Sequence, residues 1–117
     1  MKTILIVEDI DLNIDLLSQL LEDEYALIVA KDGAQGVALA EEKQPDLVIM
    51  DIALPIMDGY EATRRIRAKF PSMPIVGLSS HAMSGDAERA MTAGCTDYLT
   101  KPIDEDQLLK TLRQHLG

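Results

Sequence analysis

The sequence predicts an α/β fold, a doubly wound sandwich of five parallel strands with helices on both faces. Three observations carry this. Short apolar runs alternate with segments of helical apolar spacing from residue 3 to the end of the 117-residue chain. Alternation at this interval calls for parallel strands joined by right-handed crossovers. The run DLVIM at 46–50 is nearly unbroken apolar sequence, as expected of a strand covered on both faces. Four of the five runs lead into residues able to handle phosphate or metal, and strand ends of such sheets share one crevice. No linker or low-complexity tract interrupts the pattern, so residues 1–117 are read as one domain.

The first strand is TILIV (3–7), followed by a helix over 11–23 whose Leu12, Leu16, Leu17, Leu20 and Leu21 supply one apolar face. YALIVA (25–30) leads through Asp32 and Gly33 to a helix over 34–43, with Ala34, Val37, Ala38 and Glu41 at successive turns. Pro45 marks the approach to DLVIM. After the loop around Pro55, Asp58 with Glu61 three residues on reads as a capping box opening a helix over 59–69, which Pro71 and Pro74 close off. MPIVGL (73–78) is the fourth strand. A helix over 85–93 runs through Ala87, Ala90 and Met91 and stops at Gly94. DYLT (97–100) is the fifth strand, and Asp104 with Gln107 caps a last helix that turns Leu108, Leu109, Leu112 and Leu116 inward.

Composition narrows the function. Twenty acidic residues against eleven basic ones give a net charge of -9, which repels nucleic acid and anionic membrane surfaces. The apolar run at the amino end is cut by Glu8 and is too short for a signal-peptide core, and no stretch approaches the ~18 residues needed to span a bilayer. The single cysteine, Cys95, has no disulfide or metal-ligand partner and reads as a partly buried thiol in a reducing compartment. A soluble, cytoplasmic protein without nucleic-acid or membrane partners is expected.

Glu8, Asp9 and Asp51 would meet at one end of the sheet. Two carboxylates ~4 Å apart repel by roughly 4 kcal/mol at an effective dielectric near 20, so such a cluster needs a proton or a cation. Magnesium fits, because it takes a few carboxylates and leaves positions for waters and phosphate oxygens. Asp51 is the nucleophile candidate for an aspartyl-phosphate, Lys101 can pair with a phosphoryl oxygen, and the Ser79 hydroxyl can donate to another.

With these residues in register, the chain resembles the receiver domain of two-component response regulators. The matching elements are the acidic pair at 8 and 9, Asp51 followed by the Pro55 to Gly59 run PIMDG, Ser79, and YLTKP from Tyr98 to Pro102. The resemblance spans the whole chain. It implies a flavodoxin-like sheet in the order 2-1-3-4-5, with Asp51 as phosphoacceptor. It also implies Mg2+ held by Asp9, Asp51 and the backbone carbonyl of Ala53, with Glu8 acting through water. Ser79 and Lys101 would bind the phosphoryl group, Tyr98 would be the switch aromatic, and the Lys101–Pro102 bond would be cis. Ala53 and His81 occupy positions that bear on phosphoryl lifetime. The phosphoryl donor would be a histidine kinase or histidine phosphotransfer domain, followed by slow self-hydrolysis. Ile10, Leu54 and Ser79 depart from the commonest residues of the family without removing a required group.

A phosphoryl group on Asp51 would draw Ser79 toward it and let Tyr98 turn inward, remodelling a partner surface on helix four, strand five and helix five. The protein is thus expected to be a signalling phosphoacceptor rather than an enzyme. Two other classes compete. A phosphohydrolase with an aspartyl-phosphate intermediate needs a second aspartate two residues after the nucleophile, where this chain has Ala53. A phosphorylation-independent pseudo-receiver would usually lack one of the acidic pair, Asp51 or Lys101. The chain leaves no room for an output domain after the last helix, so a single-domain regulator or an excised receiver is expected, with Met1 directly before the first strand favouring the former. The SSHAM (79–83) and YEATRRIR (60–67) stretches resemble receivers of hybrid kinases and phosphorelays.

Overall fold

The apolar run around residue 49 forms the central strand of a five-stranded parallel sheet in a computed structural model that describes residues 1–79 and 86–117, the Asp86 side chain excepted. The strands are β1 (Thr3–Val7), β2 (Ala26–Ala30), β3 (Leu47–Asp51), β4 (Ile75–Ser79) and β5 (Asp97–Thr100). They lie in the order β2-β1-β3-β4-β5, all parallel, as expected of a doubly wound sheet. The helices α1 (Asp11–Leu21), α2 (Gly33–Lys43), α3 (Gly59–Lys69), α4 (Asp86–Ala93) and α5 (Glu105–Leu116) alternate with them.

Successive strand residues point to opposite faces, and both faces of the central strands β1, β3 and β4 are buried. Ile4, Ile6, Ile49, Val76, Leu78 and Leu99 pack with Leu17 and Leu21 of α1 and Leu108, Leu112 and Leu116 of α5. Leu5, Val7, Val48, Met50 and Ile75 pack with Ala40 of α2, Ala62 and Ile66 of α3 and Ala90 and Ala93 of α4. Among the described residues, three helix starts carry side-chain caps: Asp32 accepts from the Gln35 N–H, Asp58 from that of Glu61, and Asp104 from that of Gln107. Gly94, with φ +118°, ends α4 in a conformation that glycine adopts without a Cβ penalty.

The strands sit within two residues of the predicted runs, but three helices present a different phase. On α1 the buried residues are Ile14, Leu17 and Leu21, while Leu12 and Leu16 are exposed. With leucines on every side of this helix, spacing alone allows several faces, and Ile14 selects one. On α2 the buried face is Gly33, Gly36 and Ala40, with Ala34 and Ala38 exposed, because the helix lies close enough to β1 for Gly36 to abut Val7. On α4, Ala90 and Ala93 are buried and Ala87 and Met91 are exposed. Helix α1 ends at Leu21 rather than residue 23, and Tyr25 turns into the core instead of opening β2. Met73 and Pro74 precede β4, and both Asp51 and Ser79 are the last residues of their strands.

Candidate functional site

Parallel register brings the ends of β1, β3, β4 and β5 to one edge of the sheet. Val7 pairs with Met50, Asp51 with Leu78, and Ser79 with Thr100, so Glu8, Asp51, Ser79 and Lys101 emerge side by side. Between β5 and α5 the Lys101–Pro102 peptide bond is cis, as expected. The Lys101 N–H donates to the Ser79 carbonyl at 2.7 Å, tying the fifth strand's exit to the fourth.

Glu8 and Asp51 are almost wholly buried, at 1% and 3% exposure, and Lys101 reaches both. Its ammonium lies 2.8 Å from Glu8 Oε1 and 3.3 Å from Asp51 Oδ2. Glu8 Oε2 accepts from the backbone N–H groups of Asp9 and Ile10, and Asp51 Oδ1 accepts from that of Ala53 at 3.1 Å. Glu8, Asp9 and Asp51 each offer a carboxylate oxygen, all within 4.8 Å of one another. That donor set is hard, anionic and oxygen-only, which suits magnesium.

The electrostatics separate the two buried acids. Burial opposes ionisation of both. In Glu8 the bonds from Lys101, from Asp51 and from the Ile10 N–H outweigh burial and hold the carboxyl below its usual range. Asp51 is pushed up to about 6 by burial and by the neighbouring Glu8, with Lys101 and the Ala53 N–H only partly compensating. For Lys101, burial works against its charge, but both carboxylates overcome it and raise its pKa. One proton or one cation is therefore wanted at Asp51, in keeping with like charges sharing a confined site.

The loop after Asp51 is pinned at both ends. Gly59 donates its N–H to the Ile52 carbonyl at 2.9 Å, and a Cβ at Gly59 would lie 2.2 Å from the Asp51 carbonyl oxygen, so no other residue fits without moving the chain beside the acid. Ala53 stands exposed at the start of this loop. Tyr98 is half-buried on β5, its ring against Gly77 of β4, and its own N–H bonds to Asp97. His81 lies outside the described residues. Cys95 is buried, with its sulfur 3.9 Å from the Thr63 hydroxyl. His115 is half-buried, and its Nε2 lies 3.3 Å from Asp97 Oδ2. Two residues outside the predicted set stand out. Ile56 is exposed and has positive φ, a combination hinted at by an apolar residue between the turn formers Pro55 and Asp58. Arg67 braces the opposite end of the sheet, and nothing in its sequence neighbourhood announces that.

A doubly wound sheet with three carboxylates, a lysine and a serine at its carboxyl edge defines a phosphoryl-handling signalling module. The family model described as "Response regulator receiver domain" matches residues 4–113, and the chain belongs to that family. It is similar to the polar-differentiation response regulators DivK of Brucella anthropi and Brucella suis, each 36% identical over 119 residues, covering 99% of this chain and 97% of the relative. Among solved structures, it resembles the receiver domain of the sensor histidine kinase PA1611 from Pseudomonas aeruginosa, which holds a magnesium ion coordinated in its active-site cleft. That match has a TM-score of 0.92 at 38% identity, covering 99% of this chain and 98% of the other. A CheY-like receiver from Methanospirillum hungatei superposes with a TM-score of 0.91 at 29% identity, covering 97% and 92%. The protein is thus a response regulator receiver of two-component signalling, with the phosphoacceptor role of that family. Among the described residues no helix is long and apolar enough to cross a membrane.

Proposed function

We propose that the domain accepts a phosphoryl group from a phosphohistidine onto Asp51 in a Mg2+-dependent transfer, hydrolyses it slowly, and switches a partner surface on α4, β5 and α5. The observation that carries this is the Lys101 ammonium held between two buried carboxylates at the strand ends, beside an acidic trio fit for a hard cation. In the transfer, the donor's N–P bond breaks with its electron pair staying on the imidazole, which takes up a proton. A new O–P bond forms at an Asp51 carboxylate oxygen. Asp9, Asp51 and the Ala53 carbonyl would hold Mg2+, with Glu8 acting through water, and the ion would neutralise the charge of the incoming phosphoryl oxygens. Lys101 pairs with one of those oxygens and Ser79 donates to another.

Phosphorylated Asp51 carries roughly -1.5 to -2 charge units where the carboxylate carried one, spread over three acceptor oxygens that draw Ser79 and so vacate space for Tyr98. Ala53 and His81 set the phosphoryl lifetime. The domain acts as a signalling phosphoacceptor rather than a turnover enzyme. Its partners are a histidine kinase or histidine phosphotransfer domain upstream and a protein target downstream, and its place of work is the cytoplasm. Incubation with acetyl phosphate and Mg2+, and with radiolabelled kinases and phosphotransfer proteins of the host, tests the reading. Label is expected on the native chain and absent from Asp51→Ala. Failure to label a folded native chain would favour a phosphorylation-independent binding module.

A further inference from the structure

Ile56 is the apex of the loop that follows the phosphoacceptor strand. Its φ is +68°, and the Met57 N–H bonds back to the Pro55 carbonyl at 2.7 Å, so the three residues form the strained type of γ-turn. A β-branched side chain is a poor occupant of that backbone region, where glycine or asparagine fits at less cost. The flanking residues force the conformation. Leu54 and Met57 pack against the core, and the Met57 carbonyl presses on Gly33 so closely that a Cβ there would lie 1.9 Å from its oxygen. The isoleucine side chain gains nothing in return, because the residue is 85% exposed. Ile10 is a second exposed isoleucine beside the cluster, on ordinary extended backbone: it follows the acidic pair, its N–H bonds to Glu8, and it is 51% exposed. Asp51 itself is 3% exposed, so any protein that delivers a phosphoryl group to it must press against the loops at the cleft mouth.

We infer that Ile56 is a specificity-determining residue for transfer from a protein donor, retained at a backbone cost because its side chain, with Ile10, supplies apolar contact to the protein that carries the phosphohistidine. The inference rests on the proposed phosphotransfer to Asp51. It separates two kinds of donor: acetyl phosphate is too small to reach Ile56 while reacting at Asp51, whereas a protein donor covers the loop.

The test compares the native chain with Ile56→Asn and Ile56→Leu, using acetyl phosphate and the host phosphotransfer protein or kinase that labels the native chain fastest. Ile56→Asn is expected to melt about 4 °C higher from strain relief. It should take label from acetyl phosphate at the native rate and take it from the protein donor roughly tenfold more slowly, as when one interface anchor is lost. Ile56→Leu, apolar but without the branch at Cβ, should restore most of the protein-donor rate. Unchanged transfer from the protein donor to Ile56→Asn, equal slowing with both donors, or a lower melting temperature than the native chain would each overturn the inference while leaving the labelling of Asp51 intact. A native chain labelled by neither donor would overturn the phosphotransfer reading, and this inference with it.

Discussion

At the amino edge of the sheet, Arg67 donates to the carbonyls of Gly94, Phe70 and Pro71 and to the Thr96 hydroxyl, so the guanidinium is matched by four acceptors. The same edge is closed by Asp46, which accepts from the Thr3 N–H at 2.7 Å, and by Thr96, which accepts from that of Ile75. At the carboxyl edge, Lys101 faces Glu8 and Asp51, with Asp9 in the same cluster. One end of the sheet is thus satisfied within the chain, while among the described residues the other sets one lysine against three carboxylates, an excess of negative charge that a bound cation would balance. Polar pairing neutralises one edge, while the other keeps a net negative charge, and chemistry is concentrated there.

Substitutions at the two edges should therefore fail differently. The largest effect is expected for Lys101→Met, which should slow labelling by acetyl phosphate roughly 100-fold at saturating Mg2+, the scale of losing one charge-stabilising donor. Stopped-flow or radiolabel kinetics would check it, with melting temperature recorded alongside. Arg67→Met should do the converse. Labelling per folded molecule should be unchanged, while stability falls by about 2–4 kcal/mol in urea unfolding, since it takes a donor from three carbonyls and frees the end of α4.

Asp51→Asn sharpens the contrast, because removing a functional group should stabilise the metal-free protein. Burial and Glu8 raise the Asp51 pKa to about 6, well above its value in the unfolded chain. Between roughly pH 4 and 6 the folded state therefore binds more protons than the unfolded one, and the ionised aspartate costs stability above that window. The asparagine variant should be about 1–3 kcal/mol more stable than the native chain at pH 7 without Mg2+. That margin should shrink as pH falls from 6 toward 4, and also when Mg2+ is added at pH 7. Thermal melts across pH with and without the ion would show it. The smallest effect is expected for Asp104→Ala, which removes the α5 cap and should cost about 1 kcal/mol without touching labelling.

The same contrast explains what could be read from the chain. Glu8, Asp51, Ser79 and Lys101 are legible because each stands where an apolar run stops, and parallel pairing turns those one-dimensional stops into a shared location. The caps at Asp58 and Asp104 are legible for a similar local reason. The faces of α1, α2 and α4 were less so, since leucine- and alanine-rich helices offer several apolar stripes and tertiary packing picks one. Arg67 was invisible because its acceptors come from residues 27 to 29 positions away as well as from its own helix end. The Ile56 conformation is set by Gly33, which packs on the loop from another element.

The central claim is that the unbalanced carboxyl edge exists to take a phosphoryl group on Asp51. Treating the native chain with acetyl phosphate and Mg2+, reducing the acyl phosphate with borohydride, and mapping the resulting homoserine by peptide mass spectrometry tests it most directly. The account predicts one phosphoryl group per chain, dependent on Mg2+, with homoserine at position 51. Modification at any other residue, or none on a folded chain, would contradict it.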